Sequence, residues 1–297
     1  MATIYCWHSR TLFAELVVPV VSVATANLSH ALVESKTTNT TIIINTSLIK
    51  SHPSLDFFNA TFDSLRHLKG LPDNIPIIIT VDGLIREGQK LYRYQPNDTA
   101  ENRKRLHEYV MNLRRMFKND KRVQILQSYD AGLLTLNLAM AMEFVDTKYV
   151  LVLQHDLRFI KDVDLTTLME SMEDNPDLLK IVRFNHHRNS LYVDYLKLED
   201  EEDRDFCTAQ FFDEKTGLHF VPNKFSDMNH ITTKEYYVKL LNDLGPTPRF
   251  METAMMAKFG ADKSRRTCRE AGQWLYGEMG SGPYIEHLDG KNMENIL

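Results

Sequence analysis

Two carboxylates stand directly behind runs of apolar, β-favouring residues: Asp82 after "IPIIITV" and Asp156 in "YVLVLQHDLRF". In the second run, Tyr149 to Leu153 reads as a buried strand that leads straight into Gln154-His155-Asp156. Such a triplet at a strand end meets a metal ion, a ligand or water. An Asp there is a hard oxygen ligand, the type that Mg2+ and Mn2+ take together with phosphate oxygens. The chain has no GxGxxG and no GxxxxGK[ST], so the usual backbone cradles for phosphate are missing. A divalent cation is the expected substitute wherever a nucleotide diphosphate is bound. No G-x-S-x-G elbow occurs, which leaves Ser/His/Asp hydrolase chemistry without support. His186-His187 offers two imidazoles, but neighbours along a strand point to opposite faces, so a two-His metal site is not expected there.

The elements that must position these groups follow from periodicity. "TIIINTSL" and "IPIIITVDG" read as strands, the second buried on both faces and parallel. "SLDFFNATFDSLRHLKG", "ENRKRLHEYVMNLRRMF" and "DAGLLTLNLAMAMEFV" read as helices, with "RVQILQ" a short strand between the last two. After "YVLVLQHD" come the helix "DLTTLMESMEDN" and the strand "LLKIVRF". Strands alternate with helices through connections too long for hairpins. This predicts an α/β fold with a mostly parallel central sheet flanked by helices and right-handed crossovers. In such sheets ligands bind beyond the carboxyl ends of the strands, where Asp82 and Asp156 stand. If their strands are neighbours, both acids face one crevice. Beyond residue 185 the rhythm changes to loops and hairpins, then the helices "TKEYYVKLLNDLG" and "METAMMAKFG" and a Gly-rich end. The methionines of "LAMAMEF" read as core. Trp274 and Tyr276 are either sugar-stacking rings or core.

Composition narrows the function classes. The chain of 297 residues, 43% hydrophobic and 25% charged, is long enough for a sizeable core. A net charge of −5 speaks against nucleic acid as a partner. Cys6, Cys207 and Cys268 form no CxxC pair, so neither a cysteine zinc site nor a disulfide scaffold is expected. The apolar stretch 12–33 is interrupted by Glu15, Pro19, Asn27 and His30, too broken for a transmembrane segment and poor as a signal peptide. A cytoplasmic, soluble protein is the expectation. Sequons at Asn27, Asn39, Asn45, Asn59 and Asn97 are then chance matches in a Thr-rich segment.

The order "NTSLIKSHPSLDFFNATFDSL", "IPIIITVDG" and "SYDAGLLTLNLAMAMEFVDTKYVLVLQHDLRF" resembles nucleotide-sugar-dependent glycosyltransferases of the GT-A fold. The resemblance implies a GT-A-like, Rossmann-type single domain over 1–297. Residues 41–185 would form the nucleotide-sugar half, and 186–297 the acceptor-binding and metal-closing half. "QHD" stands where that fold carries a DxD motif. Asp156 then matches the metal-binding carboxylate, and Gln154 replaces the first Asp. The resemblance further implies donor contacts from Thr46, Asp82, Gln154 and His155. In "RFMETAMMAKFG" it makes Glu252 the general base of an inverting transfer. The alternative for Glu252 is a helix N-terminal charge. In "GPYIEHLDGK" it makes His287 a metal ligand and Lys291 a diphosphate contact; a surface histidine is the alternative for His287. The expected donor is a UDP-sugar, the cofactor Mn2+ or Mg2+, and the acceptor a glycan or glycoprotein. Two competitors remain: a non-catalytic nucleotide-sugar or glycan-binding module on the same fold, and a sugar nucleotidyltransferase. The second wants a Gly-rich loop after the first strand, and "NTSLIKSHPS" has none.

Overall fold

The computed structural model describes residues 6–7, 39–85, 96–190, 209–223, 225–245, 251–260 and 271–288. The first part of the chain supplies β1 (Cys6–Trp7), β2 (Thr40–Thr46), α1 (Asp56–Asp63), β3 (Leu68–Lys69), β4 (Ile77–Val81), α2 (Ala100–Met116), β5 (Val123–Ser128) and α3 (Leu133–Met142). Then follow β6 (Tyr149–Gln154), β7 (Leu157–Phe159), β8 (Val163–Asp164), α4 (Leu165–Asp174) and β9 (Ile181–Arg183). The last part holds β10 (Phe211–Asp213), β11 (Leu218–Pro222), β12 (His230–Thr233), α5 (Lys234–Leu244), α6 (Met251–Gly260), β13 (Gln273–Tyr276) and β14 (Ile285–His287).

A ten-stranded sheet runs β1-β5-β4-β2-β6-β12-β9-β13-β11-β10. From β1 through β6 every neighbouring pair is parallel. β12 enters antiparallel between β6 and β9, and β13 returns parallel to β9. Only β12 and β11 run against the common direction, so the sheet is mostly parallel, as the alternating pattern predicts. β2 lies between β4 and β6. Asp82 and Asp156 therefore do not end neighbouring strands.

Alternation along β2 divides the core. Ile42 and Ile44 face a layer containing Phe58 of α1, Leu106, Tyr109 and Leu113 of α2, and Leu165 and Leu168 of α4. Ile43 faces the other way, toward Leu134 and Leu138 of α3, Tyr237 and Leu240 of α5, and Met251 and Met255 of α6. Tyr149 to Leu153 of β6 are all fully buried, each apolar side chain contributing about 1.5–3 kcal/mol relative to exposure. This rigid central strand fixes where the triplet behind it stands.

Helix ends are set by local chemistry. The Thr99 hydroxyl accepts from the Asn102 N–H at the start of α2, with Glu101 in the first turn and Arg114 and Arg115 in the last. Asp164 caps α4 through the Thr167 N–H (3.1 Å), and Thr233 caps α5 through that of Tyr236 (3.3 Å). α5 stops at Gly245, whose φ of 78° suits only glycine well. No helix among the described residues is long and apolar enough to cross a membrane.

Candidate active site

Asp156 follows β6 directly, and a second pairing closes over it. β14 runs antiparallel to β7 with His287 opposite Leu157. The Leu288 N–H donates to the Asp156 carbonyl (2.8 Å), and His287 Nε2 stands 3.7 Å from Asp156 Oδ2. Oδ1 of Asp156 is buried with no hydrogen-bond partner. A carboxylate oxygen left so is costly unless a cation or donor arrives.

The rest of the triplet is held by protein. The Gln154 side-chain Nε2 donates to the Asp227 carbonyl (2.7 Å), and its backbone N–H donates to Asn229 Oδ1 (3.0 Å). Asn229 Nδ2 donates in turn to the Leu157 carbonyl (2.9 Å). Three bonds thus tie the segment before β12 across Gln154-His155-Asp156. His155 points inward: it is buried, its ring 5.4 Å from that of His52, and its carbonyl accepts from the Thr61 hydroxyl.

The loop after β2 is clamped to α2. Arg105 donates to the carbonyls of Ile49, Lys50 and His52, and Asn112 Nδ2 donates to that of Pro53. The His52 ring stacks on Tyr109 at 3.8 Å, and Tyr109 Oη bonds the Thr46 hydroxyl (2.8 Å). Burial first, then His155 and Arg105, lowers the His52 pKa to about 3. The Thr46 hydroxyl is thus buried against α2 and does not line the crevice. Asp82 is also engaged: its Oδ1 accepts the N–H groups of Gly83 (3.0 Å) and Gly132 (2.7 Å), which ties the end of β4 to the start of α3. Gly83 lies so close to the Asp130 backbone that a Cβ would stand 2.4 Å from its carbonyl carbon.

The second half contributes carboxylates of its own. Glu252 sits half-buried in the first turn of α6 between the buried Met251 and Ala254. Asp227, which the sequence reading did not single out, shares its electrostatic field. Burial and then the Glu252 charge raise the Asp227 pKa to about 6; Asp156 adds to this and Arg183 opposes it. His186 borders the same region. Its pKa falls to about 4 through burial and then the charges of His187, His287 and Arg183. His186 and His187 lie in a turn after β9 with ring centroids 3.7 Å apart, so the strand alternation expected for them does not apply. Among the described residues Gln154 and Asp156 stand at the end of β6 with His287 beside Asp156 and the Asp227 carbonyl on Gln154, Arg183 ends β9, and Glu252 is linked to them through its charge on Asp227. Thr46, His155 and Asp82 lie in packed surroundings, and Lys291 lies outside the described residues.

Among the described residues no group of three or more His, Cys, Asp or Glu could hold a metal ion. Asp156 and His287 make a pair. Mg2+-like ions are commonly held by one or two protein ligands and complete their octahedron with water and substrate phosphates. The pair and the orphaned Oδ1 fit an ion that arrives with a diphosphate, not an all-protein cage. Trp274 and Tyr276 are both core: the Trp274 indole donates to the Leu178 carbonyl (2.9 Å), and Tyr276 packs edge-on against Phe220. Asn45, one of the sequon residues, sits inside β2 and accepts from the Thr80 hydroxyl.

No family model matches the chain. No curated protein matches it either. Solved structures do match, among them the crystal structure of S. aureus TarS, a glycosyltransferase, at a TM-score of 0.41 and 9% identity. That match covers 84% of this chain and 36% of TarS, so the chain spans about a third of that protein's length. A likeness at this level assigns neither family nor activity. The architecture itself is a mixed α/β fold with a large, mostly parallel sheet flanked by helices.

Proposed function

We propose that the protein transfers a sugar from a nucleotide diphosphate sugar, a UDP-sugar first of all, to a hydroxyl of a glycan or glycoprotein, with inversion and with help from Mn2+ or Mg2+. The observation that carries this reading is Asp156 itself: a strand-end carboxylate with one buried, unpartnered oxygen and His287 at its side. Residues 41–185 handle the donor and 186–297 the acceptor. When bound, the ion offsets the charge of the leaving diphosphate. Asp156 and His287 would hold it, and Lys291 would add positive charge toward the diphosphate. Glu252 takes the proton from the acceptor hydroxyl as its oxygen attacks the anomeric carbon. The bond from that carbon to the diphosphate breaks on the opposite face, and UDP leaves with the electron pair.

One side-chain N–H of Gln154 is spent on the Asp227 carbonyl, so Gln154 also positions the acceptor-side segment and keeps its other N–H and its carbonyl oxygen for a ribose hydroxyl. Thr46 and Asp82 act by fixing the loop after β2 and the start of α3 around the nucleoside. The deciding experiment is a screen of UDP- and GDP-sugars for nucleotide release and transfer, with and without Mn2+. Metal-stimulated UDP release supports the reading. Binding of nucleotide sugar without turnover under all conditions would favour a non-catalytic binding module.

A further inference from the structure

His155 and Asp156 form a turn between β6 and β7. One side chain bridges the residues on either side of it. Asn229 Oδ1 accepts from the Gln154 N–H (3.0 Å), and Asn229 Nδ2 donates to the Leu157 carbonyl (2.9 Å). The Thr61 hydroxyl of α1 donates to the His155 carbonyl (2.8 Å). Backbone bonds take what is left: the His155 N–H donates to the Asn45 carbonyl (3.1 Å), and the Asp156 carbonyl accepts from the Leu288 N–H (2.8 Å). The chain around Asp156 is thus fixed at five backbone groups, three of them by the side chains of Asn229 and Thr61.

Both side chains are themselves built in. Asn229 is fully buried, and its carbonyl accepts from the Phe184 N–H (2.9 Å) just beyond β9. The ring of the next residue, His230, donates to the Met228 carbonyl (2.6 Å) and accepts from the Tyr237 hydroxyl of α5 (2.8 Å). Thr61 is fully buried as well. Its carbonyl accepts from the Ser64 hydroxyl (2.6 Å), whose oxygen in turn accepts the Phe159 N–H (2.9 Å) and ties α1 to β7. Amid this bracing the carboxylate oxygen Oδ1 of Asp156 is buried with no hydrogen-bond partner. Bonds that fix a ligand-bearing backbone before the ligand arrives remove the ordering cost from binding.

We propose that Asn229 and Thr61 are positioning residues for the Asp156 carboxylate, holding its turn so that the carboxylate meets a divalent cation without rearrangement. The inference rests on the reading of Asp156 as a metal-binding residue. Both residues act through Asp156 and not on the nucleotide, so they govern the metal-dependent part of UDP binding and not the metal-free part.

UDP is titrated calorimetrically into the full chain, with and without Mn2+, for the parent, Asn229→Ala, Thr61→Val and Thr232→Val, with a melting curve on each. Thr61→Val keeps shape and removes only the hydroxyl. Thr232→Val is the control: it removes a buried hydrogen bond to the Lys180 carbonyl (2.8 Å) from β12, the strand that follows Asn229, without touching the turn. Asn229→Ala should weaken UDP binding in Mn2+ by about tenfold or more and leave metal-free affinity unchanged, the loss typical of groups that support a metal ligand. Thr61→Val should lose a smaller part of the Mn2+ gain. Thr232→Val should lower the melting temperature and keep the gain in full.

A gain that survives both Asn229→Ala and Thr61→Val overturns the inference, and so does a gain that Thr232→Val also removes, since the loss would then follow stability alone. If Asn229→Ala does not fold, Thr61→Val decides, and an unchanged gain there overturns the inference. A parent without any Mn2+ gain sinks the reading of Asp156 together with this one. A gain lost in Asp156→Ala but kept in Asn229→Ala and Thr61→Val sinks this inference alone.

Discussion

His287 Nε2 stands 3.7 Å from Asp156 Oδ2 because β14 pairs with β7, the strand that begins immediately after Asp156. The pairing is anchored by Ile285, fully buried opposite Phe159. His287 itself is about one-third exposed and is not part of the hydrophobic core. His287→Ala should therefore leave the fold intact. In Mn2+ it should weaken UDP binding by about 10–100-fold, the loss typical when a group supporting a metal is removed. Without metal, UDP affinity should be unchanged. Removing all residues after Pro283 is a poor substitute, because it deletes the core residue Ile285. Lys291→Ala isolates the contribution of Lys291.

Glu252→Gln keeps shape and most hydrogen bonding but cannot accept a proton. Donor affinity should match the parent, and sugar transfer should fall by at least about a hundredfold, within the usual 10²–10⁴ range for positioned proton transfer. If Glu252 only charges the start of α6, the change should cost about 0.3–1 kcal/mol of stability and leave turnover nearly intact. Steady-state rates and a melting curve on this one variant separate the roles.

Asp82→Ala tests whether that carboxylate is scaffold. It leaves the buried N–H groups of Gly83 and Gly132 without their acceptor, at about 1–3 kcal/mol for each. Denaturant unfolding should show a loss of that order. An unchanged midpoint with weakened UDP binding would instead make Asp82 a direct donor contact.

Stability should rise with pH between about 4 and 6.5. Burial holds His52 near pKa 3 and His186 and His230 near 4 in the folded state, against 6.5 unfolded. The unfolded chain therefore binds more protons in that window, and stability is lost as pH falls. Asp227 acts in the opposite sense, because its raised pKa of about 6 makes the folded chain bind more protons between about 4 and 6. Three lowered histidines outweigh one raised carboxyl. Asp227→Asn removes the opposing contribution, given the Glu252, Asp156 and Arg183 charges around it. The variant should match the parent at pH 4 and exceed it at pH 7 in denaturant midpoint. A variant less stable at pH 7 would contradict the raised pKa.

Strands β2, β4 and β6 are legible as sequence because each is a run of β-branched or apolar residues that must be buried on both faces. Asp156 is legible for the same reason, since a charge at the end of such a run is anomalous. β12 is not legible. "HITT" is short, and it takes its place from Thr232 and Ile231 fitting between β6 and β9, a tertiary pairing that no local period announces. Asp227 and Asn229 were missed with it. Their role comes from contacts with Gln154 and Leu157, more than seventy residues earlier. The inward turn of His155 and Thr46 depends on the packing of His52 and Tyr109 and is likewise a tertiary fact.

The central claim is that Asp156 serves a metal-assisted nucleotide-diphosphate site, and calorimetric titration of UDP tests it most directly. UDP is titrated into the parent and into Asp156→Ala, each with and without Mn2+. The account predicts that Mn2+ tightens UDP binding to the parent by at least about tenfold and that Asp156→Ala removes this gain while leaving metal-free affinity in place. Equal UDP affinity with and without Mn2+ in the parent, or a gain that persists in Asp156→Ala, would contradict it.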